Sequence, residues 1–527
     1  MAIKLSLLLT PTSSRLLSII QLHPSDNTCV AARPLAAGER VVVGGREILV
    51  REPIKQGHKL AIAPIARGAS VTKYGQHIGE ATRDIAAGEW VHTQNLHADV
   101  LQQVWEKSTA VPPEPTPLSG YTFEGFRRPS GKVGTRNYLA VISNVNCSAS
   151  VAHYIARRFN TEEWQQKFPH VDGVLAFSHG NGCGMPFGGE HHQILNRVLG
   201  GMAKHANIGG YLLIGLGCET GTMGSLIDDQ RLVQIRGHES PLRPPVLVMQ
   251  DLGGTQNTID AGVKLVAELM PRVNEARRET CPASELVLGT NCGGSDGSSG
   301  ITANAGLGVA SDLLVACGGT TILGETTEIY GAEQVLTRRA RTPAIADQLI
   351  ERIKWWEWYA GVYGATCDNN PSPGNKEGGL TTIYEKSLGA IVKGGTTALN
   401  AVYKYADQVT ERGFVVMDTP GLDPVSVTGI VAGGANIVVF TTGRGSCFGF
   451  KPSPVIKVAS NTPMYDRMRA DMDLDAGTIL SAGRSVADVG MELFQTILRV
   501  ASGEKTKSEL LNLGEQEFQP WLLGPIL

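Results

Sequence analysis

Residues 285–304 read "ELVLGTNCGGSDGSSGITAN": an apolar run, one cysteine, then a stretch built almost wholly of glycine and small polar side chains. A short continuous apolar run that stops at a glycine-rich loop reads as a buried strand emptying onto a sheet edge. The same texture recurs on both sides of it. Toward the N-terminus lie "YLAVISNV", "VDGVLAFSH", "GGYLLIGLG" and "PPVLVMQD", with helix-like stretches such as "SVAHYIARRF" between them; toward the C-terminus lie "TTILGE", "GFVVMDT" and "NIVVFTTG". Apolar strands alternating with helices predict parallel α/β sheets, whose ligands sit outside the carboxyl ends of the strands. The loop at 290–304 is then a backbone-lined site, its small side chains and exposed amides leaving room where bulk would exclude a ligand.

The remainder of the chain divides around this core. Residues 20–100 carry short β-type runs punctuated by glycine, as in "REILVREPIKQGHKLAIAPIARGASVTKYG", and predict a small all-β module. The segment 101–125 includes "VPPEPTPLSG", with four prolines in ten positions, and reads as an extended linker. The expected division is an all-β domain over 1–100, a linker over 101–125, an α/β domain over 126–280 and a second parallel α/β domain over 281–527.

At 527 residues and 56.1 kDa the chain exceeds one ordinary core, and 18% charged with 42% hydrophobic residues is a globular composition. A net charge of -3 gives no footprint for nucleic acid. The opening "MAIKLSLLLTPTSSRLLSII" is broken by a proline and polar residues before spanning length, so neither a secretory leader nor a membrane span is expected. Nine cysteines, several beside glycines at strand ends, indicate a reducing compartment and a cytoplasmic protein. The aromatic "WWEWY" at 355–359 has no basic patch around it and is expected to pack in a core or interface.

Four cysteines follow predicted strands: Cys147 in "NVNC", Cys183 in "SHGNGCG", Cys218 in "GLGCET" and Cys292 in "TNCGG". Thiolates are soft ligands for iron, iron-sulfur clusters or zinc, and the lack of a CxxC pair argues against a zinc ribbon. His179, Glu219, Glu325 and Glu328 accompany them on the same edges. In "NNPSPGNKEGGL" (369–380) prolines and glycines predict a loop free of helix, presenting Asn375 and Lys376. In "FTTGRGSCFG" Arg444 stands between two glycines, suited to a carboxylate or phosphate. The β-module offers His23, Asp26 and Asn27 in "HPSDN" and His58 and Lys59 in "GHK", placed to close over a site as a lid.

In this order, "GHKLAIAPIARGASVTKYGQHIG", "GTRNYLAVISNVNCSA", "GLGCE", "CGGSDGSSGITAN", "NPSPGNKEGG" and "FTTGRG" resemble the sugar-acid dehydratases typified by altronate and galactarate dehydratase, over roughly residues 20–525. The resemblance implies an N-terminal β-clip module of the SAF type, a middle domain making dimer contacts, a C-terminal Rossmann-like sheet, a divalent metal, usually ferrous iron, and a homodimer acting on a small sugar acid. Altronate is the first expectation, from "GEWVHTQN" and "SDGSSGITAN"; galactarate follows closely, from "GYTFEGF" and "ETCPASELV". Sulfolactate sulfite-lyase chemistry and a non-catalytic sugar-acid binder are the alternatives.

The reaction so implied removes the proton α to a carboxylate and expels the β-hydroxyl, giving a 2-keto-3-deoxy acid. Lys376 or His179 is expected to take the proton and His23 to protonate the leaving hydroxyl. Ser295, Asp296, Ser299 and Asn304, with Asn27, His58, Lys59, Asn375 and Arg444, are expected to hold substrate. Cys147, Cys183, Cys218 and Cys292, with Glu219, are expected to hold Fe2+, as one ion or an iron-sulfur cluster, or another divalent metal.

Overall fold

Among the residues described by the computed structural model, 18–99, 105–233 and 242–524, the chain forms a β-module and two parallel α/β domains. In the module, Ile19–Ile20, Thr28–Ala31, Lys59–Ala61 and Trp90–Val91 form an antiparallel sheet, and Ser70–Lys73, Gln76–Ala81 and Leu96–His97 form another. Half of it packs on itself, through Cys29, Leu35, Val41, Ile48 and Leu60. The other half does not: Val71, Tyr74, Ile78 and Ile85 share one hydrophobic core with Ile301, Leu307 and Leu388 of the C-terminal domain. Apolar surface continuous across the junction holds the module docked.

The proline-rich stretch is extended, as its composition predicts, yet it is tied down. Ser108 N, Ala110 N and Leu118 N donate to the carbonyls of Thr337, Arg338 and Ala316 at 2.9 Å each. Beyond it the strand Thr122–Arg127 pairs antiparallel with Glu279–Pro282, so the start and end of the middle domain are stitched together.

The middle sheet is parallel, in the order Gly173–Phe177, Tyr138–Ser143, Ile208–Gly215, Val246–Val248. The C-terminal sheet has seven parallel strands, in the order Leu399–Tyr403, Gly413–Met417, Thr320–Leu323, Val287–Cys292, Ile437–Thr442, Val455–Ala459, Leu474–Asp475. Its central strands are apolar and covered on both faces, as a parallel sheet between helices requires. The helix Glu190–Ala203 of the middle domain lies along Asp423–Ala432 of the C-terminal domain and joins the two.

One local reading changes. The segment 369–380 contains a five-residue helix, Pro373–Glu377. Pro373 stands at its first turn, where a missing N–H costs nothing, and Ser372 with Asn375 forms a reciprocal capping box. "WWEWY" lies in the helix Pro343–Val362, where Trp356 is buried and stacks on Trp521. No helix among the described residues is long and apolar enough to cross a membrane. The opening residues 1–17 lie outside the described residues.

Candidate active site

At the carboxyl end of Val287–Cys292, the cysteine thiol meets two glutamates and two lysines. Glu325 and Glu328 come from the turn after the neighbouring strand Thr320–Leu323; Lys386 comes from the helix Ile383–Ala390, and Lys393 from the turn that follows it. Lys393 Nζ donates to Cys292 Sγ at 2.8 Å and to Glu325 Oε2 at 2.5 Å. Lys386 Nζ donates to Glu328 Oε1 at 2.7 Å and to Asn370 Oδ1 at 2.9 Å. The Cys292 thiol lies 3.7 Å from Glu328 Oε2, and Cys292 N donates to the Glu325 carboxylate. All five side chains are buried. Asp423, half-buried at the start of its helix, accepts from Asn291 Nδ2 at 2.9 Å and is the member that opens outward.

Charges this close cannot all be present at once in a dry pocket. Burial pushes the Cys292 thiol up to about 12. Burial, with repulsion from Glu328 and Asp423, pushes the Glu325 carboxyl up despite Lys393. For Glu328 burial is overcome by Lys386 and Lys393, which hold it below the usual carboxylate range. Asp423 is raised to about 7, by burial first and by Glu328 second. A half-open carboxyl that titrates near neutrality is the group best placed to exchange protons with a ligand.

The β-module closes the inner side. Lys59 Nζ donates to both carboxylate oxygens of Glu385, at 3.0 and 2.8 Å, and Lys73 Nζ donates to Glu385 Oε1 at 2.8 Å, with all three side chains at 2% exposure or less. Glu385 is the sequence neighbour of Lys386, so one helical turn holds the cover on one side and the acid cluster on the other. Contact is backbone-close: a β-carbon on Gly297 would stand 2.0 Å from the Gly57 carbonyl oxygen, which only glycine permits. His58 accepts from Trp90 Nε1 through Nδ1, so its Nε2 carries the proton and donates to the Glu377 carbonyl at 3.1 Å. Burial lowers His58 to about 4, and it stays neutral.

The glycine-rich loop spends most of its polar atoms on itself. Asp296 Oδ1 accepts from Ser299 Oγ and Ser460 Oγ at 2.8 Å each, and Asp296 Oδ2 accepts from Asn461 at 3.0 Å. Asn304 bridges the Gly389 carbonyl and Thr441 Oγ1, and Asn375 Nδ2 donates to the Ser295 carbonyl at 2.8 Å. Ser295 Oγ is buried without a partner among the described residues. Lys376 is half-buried on the adjoining short helix, and Arg444 pairs with Glu377 at 2.8 Å near the surface. Asn27 bonds Ser70 O and Thr72 N within the β-module, and His23 Nδ1 contacts Ser25 Oγ at 2.7 Å while its ring covers Gly75.

The remaining expected residues lie on the other sheet. Cys147, Cys183 and Cys218 are exposed at the edge of the middle sheet, whereas Cys292 is buried and groups with Glu325 and Glu328 instead of with them. His179 bonds the Ser143 carbonyl through Nε2 at 3.0 Å and accepts from Asn181 N through Nδ1 at 3.1 Å. Glu219 turns inward to accept from Gly217 N at 2.6 Å. Both brace loops. Lys386, Lys393, Asp423 and Asn370 went unread in the sequence. The available signal was charge inside an apolar stretch: "TTIYEKSLGAIVKGG" carries three charged groups that burial obliges to be paired.

Cys292, Glu325 and Glu328 offer one ligand atom each, all within 4.8 Å of one another, the one such group among the described residues. A thiol and two carboxylates are a reasonable iron donor set. Four acidic groups, Cys292, Glu325, Glu328 and Asp423, face the two ammonium groups of Lys386 and Lys393, so the residues fit a divalent ion.

An acid-base cluster at the carboxyl edge of a parallel sheet, sealed by a β-clip cover, defines an enzyme whose chemistry is proton transfer on a small polar ligand. Three family descriptions match along the chain: "Altronate/galactarate dehydratase SAF domain" over 17–99, "D-galactarate dehydratase/Altronate hydrolase, second domain" over 125–274, and "D-galactarate/Altronate dehydratase, C-terminal" over 283–526. The chain is 38% identical over 494 residues to a galactarate dehydratase (L-threo-forming) of Escherichia coli, covering 92% of this chain and 93% of the relative. It is 34% identical over 496 residues to an altronate dehydratase of Bacillus subtilis, covering 93% and 96%. A (2R)-sulfolactate sulfo-lyase subunit beta of Chromohalobacter salexigens is 31% identical over 408 residues, covering 76% of this chain and 97% of the relative. The chain belongs to the galactarate/altronate dehydratase family and is a hydro-lyase.

Proposed function

We propose that the chain dehydrates a six-carbon sugar acid, altronate first and galactarate second, to the 2-keto-3-deoxy acid, at the carboxyl edge of the seven-stranded sheet. The observation that carries this reading is Asp423: a half-open carboxyl raised to about 7, set against a buried cluster of acids and lysines. The α-proton of a hydroxy acid is weakly acidic, so elimination requires a base near neutrality and positive charge beside the forming enediolate. Asp423 exchanges the proton. Asn291 orients its carboxylate, and Lys386 and Lys393 supply fixed positive charge behind it.

Cys292, Glu325 and Glu328 would hold a ferrous ion, which supplies Lewis-acid stabilisation of the substrate oxygens when bound. The docked β-module excludes water from the inner side, and Tyr74, which lines the same small cavity as Ser295 and Lys386, brings the cover to the glycine loop. Arg444 would leave Glu377 to pair with the substrate carboxylate, and the homodimer completes the proposal.

An anaerobic assay of iron-loaded protein against altronate, galactarate and (2R)-sulfolactate, read as 2-keto acid by semicarbazide absorbance and as released sulfite, tests it. Keto-acid from a sugar acid, lost on chelation and lost in Cys292→Ser together with bound ferrous iron, is the expected result. Sulfite from sulfolactate with no product from either sugar acid would overturn the hydro-lyase assignment of substrate.

A further inference from the structure

Cys147, Cys183 and Cys218 are not used by the site above. They lie on the three loops that follow three adjacent strands of the middle sheet, Tyr138–Ser143, Gly173–Phe177 and Ile208–Gly215, and all three are exposed free thiols. The loops are laced into one platform. Asn146 N donates to the Asn181 carbonyl at 2.8 Å, Gly221 N to the Gly182 carbonyl at 3.3 Å, and Asn144 Nδ2 to the Gly221 carbonyl. Gly182 sits at φ 103° where a β-carbon would strike the Asn144 carbonyl, so the Cys183 loop lies directly on the Cys147 loop. His179 and Glu219 are the inward braces of the same loops.

A second observation points to a ligand. His191 and His192 begin the helix Glu190–Ala203 beneath this platform at 6% and 2% exposure. Neither ring nitrogen of His191 and not the Nε2 of His192 has a partner among the described residues. His192 Nε2 faces the turn after Cys218, 3.4 Å from where a β-carbon on Gly221 would stand, and His191 lies close enough to His179 to influence its charge. Buried imidazoles with unspent nitrogens are costly unless something completes them.

The spacing of the thiols selects the ligand. The three sulfurs are not all within 4.8 Å of one another, since the one set of side chains that meets that limit lies elsewhere. One tetrahedral ion with metal–sulfur bonds of about 2.3 Å needs its sulfurs roughly 3.8 Å apart. At least one pair of these soft, exposed thiols is therefore held wider than one ion allows, which suits a larger body, and clusters of iron and sulfide are held by cysteine thiolates. We propose that the middle domain is a three-cysteine site for a [4Fe–4S] cluster, held by Cys147, Cys183 and Cys218, with His191 and His192 supplying N–H donors below it. The fourth iron keeps an open position for an oxygen ligand. The site uses none of the side chains grouped around Cys292.

Loading needs no redox step when the cluster arrives assembled. Each protein thiol gives up its proton as its sulfur bonds to iron, and the small thiolate it displaces leaves as the protonated thiol. The test is anaerobic incubation of the full chain with a pre-assembled [4Fe–4S] cluster carried by small thiolates, then desalting and assay of iron, acid-labile sulfide and visible absorbance. The expected result is about four iron and four sulfide retained per chain. Retention should fall at least about tenfold in Cys183→Ser and in Cys218→Ser, each folded by circular dichroism, and persist in Cys292→Ser. No retained sulfide in the wild type, retention of one zinc in place of a cluster, or retention that follows Cys292 and ignores Cys183 would overturn the proposal.

Discussion

At the edge of the middle sheet Cys147, Cys183 and Cys218 stand in the open, whereas at the edge of the C-terminal sheet Cys292 is sealed among Glu325, Glu328, Lys386 and Lys393. Both edges end parallel strands, and both present glycine-rich loops with cysteine and acid. They differ in what lies above them. The β-module covers the C-terminal edge, and burial there turns ordinary acids and amines into a cluster that can exist only in mutual contact. Among the described residues the uncovered edge has no such network, and its thiols are exposed. Motif alone does not decide the chemistry of a cysteine at a strand end; the cover does.

Removing the proton-exchanging group tests the sealed edge most severely. Asp423→Asn should lower kcat by about 10²- to 10⁴-fold, the usual worth of general acid-base catalysis, with unfolding by urea nearly unchanged because Asp423 is half-open. Next comes the cover. Glu385→Ala leaves Lys59 and Lys73 buried without an anion and should cost about 3–5 kcal/mol in urea unfolding, with activity lost alongside.

The same carboxylate sets a pH signature. Burial alone would raise Glu385, and Lys59 with Lys73 overcome it and hold the group far below the usual range. A depressed carboxyl contributes its stability in full above the unfolded pKa, about 4.3, and loses it as pH falls toward the folded value. Urea midpoints of wild type and Glu385→Gln should therefore keep a constant gap from pH 7 to about 5, and the gap should narrow below about 4. The smallest effect belongs to the surface: Arg444→Ala breaks an exposed pair with Glu377 and should change stability by less than about 1 kcal/mol.

The sequence shows the strands wherever the apolar run is unbroken, as in "YLAVISNV" and "NIVVFTTG". It conceals Val455–Ala459, because Lys457 interrupts the run although its side chain is fully buried. It conceals the helix Pro373–Glu377, because proline is read as a breaker although it begins helices readily. The cysteine, both glutamates and the glycine loop of the C-terminal edge are legible because strand ends are legible. Lys386, Lys393 and Asp423 are not, since each sits on or beside a helix with no punctuating motif, and their meeting with Cys292 is a product of tertiary packing. The loop residues Asp296 and Asn304 are legible as polar but not as to partner; three-dimensional closure alone shows that they bind the protein itself.

The ion pair between Lys59 and Glu385 spans 326 residues of sequence. Chains are made from the N-terminus, so the β-module is complete long before its partner helix exists. Burying Lys59 and Lys73 without an anion would cost several kcal/mol, so their face stays hydrated while the intervening chain is synthesised. Arrival of Glu385 permits docking, and the dry site therefore forms late, after the middle domain has left the ribosome.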